Sequence, residues 1–268
     1  SAAMDEYHAA LVALLRSGQR FGRLDPRSCL CVRDSARALT IPVVQHGFPW
    51  QPADFQHLLL SGLQLSGYQE AKIYIQVTRG VAPREHVFPP RGEATVFLSF
   101  RKMVALPMEV SQRGVSVITL PDIRWGRCDI KSLNLLPIVL AKQKAQEAKA
   151  FEAIFVRDGW VGEGATSNVL MVKDGGIFTP ERTHFVLAGV TQHQVAAMGQ
   201  AKGHEVQFRP VPISDLFQSD EVFLVGTTIE VLPVIQINGQ PIRDGKPGPI
   251  TTILQQQYTA YISGLSLL

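Results

Sequence analysis

From residue 115 onward, strand-like and helix-like segments alternate along the chain, and this alternation constrains the fold more than any other feature. The segment VSVITL, residues 115–120, predicts a strand, and NLLPIVLAKQKAQEAKA, residues 134–150, predicts a helix with Asn134 as N-cap and Pro137 in the first turn. Further strands are predicted in AIFVRDGWV, SNVLMVKDGGIFTP, HEVQFRPV, EVFLVGTT and VIQINGQPI, and further helices in GVTQHQVAAMGQAKG and GPITTILQQQYTAYI. Such alternation indicates a mixed α/β domain.

The preceding part of the chain has a different pattern. DEYHAALVALLRSG and PADFQHLLLSGLQLSG each predict a helix that ends at a glycine, whereas AKIYIQVTRG and ATVFLSFRKMVAL predict two strands joined by the turn GVAPREHVFPPRGE. Pro107 and the polar MEVSQRG that follows predict a linker. We therefore expect two α/β domains, residues 1–105 and 116–268, joined by residues 106–115.

Composition excludes several classes of protein. Hydrophobic residues make up 46% of the chain, enough for a sizeable core, but no apolar run reaches the ~18 residues of a membrane span. The acidic start is unlike a signal peptide, and three cysteines are too few for a disulfide framework. The Cys-Leu-Cys spacing does not suit a metal site, and a net charge of +3 without a basic block argues against nucleic-acid binding. We expect a cytoplasmic protein that binds neither membranes nor nucleic acids.

Lys131 lies between a predicted strand and loop and the start of a predicted helix, a position that often carries functional side chains. Residue type alone favours an ordinary solvated lysine. Burial or a neighbouring cation, such as Arg124 or Arg127, would instead make the amine neutral and able to form a Schiff base. Because Asp129 opposes those cations, both alternatives stay open at this point.

The segment GWVGEGATSNVLMV contains a carboxylate, Glu163, in a predicted glycine-flanked turn between two strands. The hydroxyl residues Thr166 and Ser167 follow it. Composition alone is also compatible with a hairpin loop that carries a solvated glutamate.

Two further segments contain donors suited to an anion. Val190 and Thr191 open a predicted helix, whose first backbone N–H groups can bind phosphate, and Thr227 follows a predicted buried strand. Pyridoxal phosphate needs an amine for its aldehyde, a partner for its pyridine nitrogen and donors for its phosphate. Lys131, Glu163 and these donors would meet those needs in that order.

Four longer strings carry a specific resemblance: DIRWGRCDIKSLNLLPIVLAKQKAQEA, VRDGWVGEGATSNV, VLAGVTQHQV and TTIEVLPV. They resemble the class IV aminotransferases, which depend on pyridoxal phosphate, in register from about Ala36 to the C-terminus. The resemblance implies the mixed α/β (α+β) fold of the fold type IV enzymes, with a small N-terminal α/β domain and a larger, β-barrel-like C-terminal α/β domain. It also implies a homodimer.

The same resemblance implies roles for individual residues. Lys131 matches the Schiff-base lysine, which also moves the substrate proton, and Glu163 matches the carboxylate that keeps the pyridine nitrogen protonated. The remaining matches lie near the cofactor ring or contact its phosphate: Thr166, Ser167, Leu187, Val190, Thr191 and Thr227.

The turn TRGVAPREHVFP bears on substrate choice. Arg84 and His86 match an Arg-x-His pair that, in D-amino-acid aminotransferases, reaches in from the partner subunit and binds the substrate carboxylate, as a guanidinium fork suits. This implies transfer of the amino group of a D-amino acid to a 2-oxo acid. The alternative is a basic surface turn on a related enzyme, a branched-chain aminotransferase or an aminodeoxychorismate lyase.

The N-terminal part departs from the family pattern. LDPRSCLCVRDSARAL has cysteines where the family has the arginine that binds the cofactor phosphate, so Arg33 is the nearest substitute, with Arg27 and Arg37 also close. Tyr7 is the candidate for the usual substrate-binding tyrosine. A weakened or non-catalytic relative with an eroded phosphate site is therefore a further alternative.

Overall fold

The structure, a computed structural model, describes residues 9–16, 52–87 and 94–265. The chain divides into two compact units. The first unit includes the described residues up to 104 together with residues 130–134, and the second contains residues 105–129 and 135–263. The domain boundaries expected from the sequence remain a prediction.

The described part of the first unit contains a three-stranded antiparallel sheet and one helix. The strands β1 (Ala9–Arg16), β2 (Glu70–Thr78) and β3 (Thr95–Lys102) lie in that order, and the helix is α1 (Pro52–Ser66). Along β2, every second residue from Ala71 to Val77 is buried, because successive side chains of a strand point to opposite faces. Leu59 and Leu63 of α1 are also buried.

The prediction of a helix in DEYHAALVALLRSG is wrong, because residues 9–16 form the strand β1. This strand pairs along its whole length with β2, from Ala9 opposite Val77 to Arg16 opposite Glu70. A short apolar run such as AALVALL suits a strand or a helix about equally well. The tertiary context selects the strand, since β2 would otherwise expose an unpaired edge.

The second unit contains a nine-stranded mixed sheet that curls into a half-barrel. The order is β6-β5-β4-β11-β10-β7-β8-β9, with β12 paired to β11. The strands are β4 (Val115–Pro121), β5 (Glu152–Arg157), β6 (Trp160–Gly164), β7 (Asn168–Lys173), β8 (Gly176–Thr179), β9 (Val206–Phe208), β10 (Glu221–Gly226), β11 (Glu230–Ile237) and β12 (Gln240–Pro241). The expected hairpins β5–β6, β7–β8 and β11–β12 are confirmed.

The helices of this unit are α2 (Met108–Arg113), α3 (Leu136–Glu147), α4 (Val190–Ala201), α5 (Ile213–Phe217) and α6 (Pro249–Leu265). One face of the sheet packs against α4 and α6 through residues such as Val195 and Leu254. Of the described residues, none belongs to a helix both long and apolar enough to cross a bilayer.

The segment expected as a linker, residues 106–115, contains the helix α2. One local expectation is wrong. Asn134 is not the N-cap of α3, because that helix begins at Leu136 with Leu135 as N-cap. The backbone N–H of Asn134 instead donates to Ser132 Oγ at 3.3 Å, so a local turn precedes the helix.

Candidate functional site

Glu163, Asn168 and Thr227 lie where three strands of the second unit begin or end. Glu163 lies one residue before the end of β6, and Asn168 begins β7. Asn168 is paired with Val225, near the end of β10, so Thr227 in the following turn lies just beyond this pair. Strand ends that converge in this way commonly form ligand sites in α/β proteins.

Glu163 is buried on a strand and does not lie in the solvated turn expected from its flanking glycines. Its side chain is 7% exposed. The Oε1 atom accepts a hydrogen bond from Arg124 Nη1, and Oε2 accepts hydrogen bonds from Asn168 Nδ2 at 3.2 Å and from the Leu187 N–H at 3.1 Å. A cation and neutral donors around a buried carboxylate favour its ionised form, which is the form that pairs with a pyridinium.

Arg124 is held by a second carboxylate, Asp122. Arg124 Nε donates to Asp122 Oδ1 at 2.9 Å and Arg124 Nη2 to Asp122 Oδ2 at 3.0 Å, with side chains 6% and 2% exposed. Burial alone would lower the pKa of Arg124, but its hydrogen bonds and ion pairs with Asp122 and Glu163 outweigh burial and raise that pKa. Burial would raise the pKa of Asp122, yet the bonds and charge of Arg124, with Arg157, hold it below its ordinary value.

Asn168 connects Glu163 to the start of α4. Its Nδ2 donates to the Leu187 carbonyl at 2.9 Å as well as to Glu163. A Cβ atom on Gly189, the N-cap of α4, would collide with Asn168 Oδ1, so the absence of a side chain there permits the close approach. The carboxylate and the helix start are therefore held at a defined separation within one unit.

The start of α4 suits an anion. Among the described residues, no side chain caps this helix by a hydrogen bond; Val190 is half-buried and Thr191 is 4% exposed. Uncapped N–H groups at a helix start, together with the helix dipole, attract phosphate. Thr227 is half-buried in the turn between β10 and β11.

A second buried carboxylate supports the turn that carries Thr166 and Ser167. Glu152, with 0% exposure, accepts hydrogen bonds at its Oε2 atom from the Thr166 N–H at 3.2 Å, Thr166 Oγ1 at 2.7 Å and Ser167 Oγ at 3.4 Å. Its Oε1 atom lies 3.3 Å from Lys142 Nζ. The conformation of this turn therefore depends on Glu152, the first residue of β5.

The other candidate residues lie in the first unit or outside the described chain. Lys131 is half-buried in the segment 130–134, and Arg84 and His86 are exposed on the connection between β2 and β3. Arg33 and Tyr7 lie outside the described residues.

The donor set of the second unit fits pyridoxal phosphate at both ends. Glu163 offers a buried anionic acceptor for a pyridine N–H, and the start of α4 offers donors for a phosphate. Leu187, half-buried between these two ends, offers an apolar side chain for the ring.

Four residues that structure this site are not indicated by the sequence patterns: Asp122, Arg124, Glu152 and Asn168. The sequence suggests Arg124 only as a possible neighbour of Lys131, whereas in the structure its Nη1 donates to Glu163, 39 residues further along the chain. The available signals were weak: an Asp-x-Arg pair just after β4, and an asparagine at the first position of β7.

Comparison with protein families gives a match over most of the chain: the model of the amino-transferase class IV family matches residues 32–237. A D-alanine aminotransferase of Bacillus licheniformis is 42% identical over 203 residues, which cover 76% of this chain and 71% of that protein. A D-alanine aminotransferase of Staphylococcus haemolyticus is 41% identical over 204 residues, which cover 76% and 72%.

Solved structures are similar to nearly the whole chain. The branched-chain amino acid aminotransferase of Escherichia coli has a TM-score of 0.82 at 22% identity, covering 97% of this chain and 87% of that one. A T.th. branched-chain amino acid aminotransferase with pyridoxamine 5'-phosphate has a TM-score of 0.82 at 25% identity, covering 98% and 88%. These matches confirm the expected fold type IV architecture.

Proposed function

Because this chain belongs to the amino-transferase class IV family, we propose that it is a pyridoxal-phosphate-dependent transaminase that moves the amino group of a D-amino acid to a 2-oxo acid. The observation that carries the substrate class is the 38–43% identity to D-alanine aminotransferases over about three quarters of the chain. The buried, cation-paired Glu163 supports the cofactor assignment.

Different residues of the chain are proposed to carry out different parts of this reaction. Pyridoxal phosphate, when bound, withdraws electrons from the substrate α-carbon so that its proton can leave. Glu163 holds a proton at the pyridine nitrogen, which strengthens this withdrawal. Lys131 is proposed to hold the cofactor covalently and then to move the α-carbon proton as a general base.

Other residues bind the two ends of the cofactor and the substrate. The start of α4, with Val190 and Thr191, is proposed to bind the phosphate together with Thr227. Leu187 and the turn with Thr166 and Ser167 are proposed to contact the ring region. Arg84 and His86 are proposed to bind the substrate carboxylate from the partner subunit.

A homodimer is proposed from the surface of α3. This helix buries small residues, Ala141 and Ala145, and exposes larger apolar ones, with Leu136 68% exposed, Val139 59% and Leu140 47%. A contiguous exposed apolar face of this kind suits a second copy of the chain.

A cytoplasmic location is also proposed. Cys128 is a free thiol, and burial raises its pKa to about 11. A thiol of that kind stays protonated and unreactive at neutral pH, and the three cysteines of the chain are too few for the disulfide framework of a small secreted protein.

The first test uses the purified chain with added pyridoxal phosphate. We expect stoichiometric binding with a visible absorbance band, and transfer from D-alanine to 2-oxoglutarate at least tenfold faster than from L-alanine or L-leucine. Lys131→Ala should abolish the band and lower kcat by about 1,000-fold or more, since both the covalent link and the base are lost.

Lys246→Ala, which removes an exposed lysine from the segment before α6, is the matched control and should behave as the wild type. Equal use of L-leucine would overturn the D-specific assignment in favour of a branched-chain aminotransferase. Failure of the wild type to bind the cofactor would favour a non-catalytic relative.

A further inference from the structure

The guanidinium of Arg124 lies against the carboxylate of Glu163 in the interior of the second unit. Both side chains are almost fully buried, at 6% and 7% exposure, and Arg124 Nη1 donates to Glu163 Oε1. An ion pair withdrawn from water in this way is only weakly screened, so the cation acts strongly on the carboxylate.

The orientation of Arg124 is itself fixed on several sides. Asp122 accepts hydrogen bonds from Nε and Nη2, and the Phe185 carbonyl accepts another from Nη2 at 3.1 Å. The guanidinium carbon also lies 4.5 Å from the centre of the Phe155 ring. With these contacts made, Nη1 remains directed at Glu163, because the guanidinium is planar and rigid.

The two oxygens of Glu163 therefore have different partners. Oε1 contacts the cation, whereas Oε2 accepts hydrogen bonds from two neutral donors, Asn168 and the Leu187 N–H. The first contact favours the ionised state, and the two sets of contacts together prevent rotation of the carboxylate.

The same contacts restrain the segment that leads to Leu187. Its Phe185 carbonyl is bound by Arg124, and its Leu187 N–H is bound by Glu163. Removal of the Arg124 side chain would take one restraint from the carboxylate and one from this segment.

We propose that Arg124, held by Asp122, is a positioning residue that fixes the orientation and the negative charge of Glu163 for the pyridine nitrogen of the cofactor. The inference rests on the proposed function, in which Glu163 binds that nitrogen. Arg124 acts through Glu163 and contacts neither the substrate nor the reacting atoms.

The test measures the dissociation constant of pyridoxal phosphate for the full chain between pH 6 and pH 8.5. Arg124→Gln should weaken binding roughly 10-fold at pH 8.5 and roughly 100-fold at pH 6 relative to the wild type. The dependence on pH arises because a buried carboxylate without its cation takes up a proton more readily as the pH falls. Arg124→Lys keeps the positive charge but not the forked guanidinium, and should recover most of the cofactor affinity that Arg124→Gln loses at pH 6.

The matched control is Arg127→Gln, which removes an arginine from an exposed pair with Asp129 that has the same two-residue spacing. It should change the dissociation constant less than twofold. Urea unfolding of each variant without the cofactor separates a folding defect from a binding defect.

A double-mutant cycle tests whether Arg124 affects cofactor binding through Glu163 or independently of it. In a Glu163→Gln background, Arg124→Gln should weaken cofactor binding less than twofold further, because Arg124 acts only through the carboxylate. If Arg124→Gln does not fold, the same cycle is made with Arg124→Lys.

Two results would overturn the inference while the proposed function stands. The first is an Arg124→Gln variant that binds the cofactor as tightly as the wild type at every pH. The second is a loss of cofactor affinity that does not depend on pH and is equally large in the Glu163→Gln background. Failure of the wild type itself to bind the cofactor or to transaminate would instead overturn the proposed function.

Discussion

The buried carboxylate of Asp122 holds the side chain of Arg124, although the family resemblance gives Asp122 no role. Its carboxylate is 2% exposed and accepts hydrogen bonds from Arg124, and Arg157 Nη2 lies 3.2 Å from its Oδ2 atom. Arg124 lowers the pKa of Asp122 below its ordinary value, although burial by itself would raise it. A carboxyl group whose pKa is lower in the folded than in the unfolded state stabilises the fold when it is ionised.

This shift predicts a pH-dependent effect of Asp122→Asn. The variant should lose about 2–3 kcal/mol of unfolding free energy at pH 7, because a buried charge pair loses one partner. The difference from the wild type should shrink below about pH 3.9, the ordinary value of an aspartate, as the wild-type carboxyl group takes up its proton. Urea unfolding followed by tryptophan fluorescence at pH 7 and pH 3 measures both values.

Asp129→Asn is the matched control, since Asp129 pairs with Arg127 at the surface, where both side chains are 36% exposed. Its effect should stay within about 0.5 kcal/mol at either pH. A loss for Asp122→Asn that is the same at pH 7 and pH 3 would contradict the proposed source of its stabilisation.

At the scale of elements, the start of α6 depends on a residue of the sheet. Glu221, the first residue of β10, is 4% exposed and accepts hydrogen bonds from the Ile250 N–H at 3.0 Å and the Thr251 N–H at 2.7 Å. A Cβ atom on Gly248 would collide with the same carboxyl group. A carboxylate in this position satisfies the first N–H groups and complements the helix dipole.

Glu221→Gln should therefore lower the unfolding free energy by about 1–2 kcal/mol. Gly248→Ala should have an effect in the same direction, because its methyl group would displace the Glu221 carboxylate. Urea unfolding of the two variants and of the exposed control Glu205→Gln provides the measurement. If Glu221→Gln is no less stable than Glu205→Gln, the cap does not stabilise the helix.

At the scale of the whole molecule, the exposed apolar face of α3 predicts the state of association. The wild type should have about twice the 29.5 kDa mass of the chain in sedimentation velocity at micromolar concentration. Leu136→Glu with Val139→Glu should shift the protein to monomers, because two charges would have to be buried in the interface.

Gln200→Glu adds a charge to an exposed position of α4, outside this face, and should leave the mass unchanged. A double variant that remains a dimer would exclude this face as the interface. Since Arg84 and His86 are proposed to act on the partner's substrate, the monomeric variant should also lose activity in proportion to the dimer lost.

The sequence by itself determined most of the second unit and the identity of the family. Strand and helix periodicity predicted the three confirmed hairpins and the start of α4 at Val190, because local spacing and turn residues govern these features. The long motif strings pointed to the class IV aminotransferases, which the family model confirms. The roles of Lys131 and Glu163 stay predictions that the variants above test.

Only the tertiary structure decided which distant residues share an environment. It made residues 9–16 a strand, because β2 has an edge to pair, and it placed Glu163 on a buried strand. It also placed two residues beside that carboxylate: Arg124, which precedes Glu163 in the sequence, and Asn168, which follows it. Local periodicity reports which face of an element is buried, but not which partner lies against it; the partners of a buried charge follow from the packing of the whole unit.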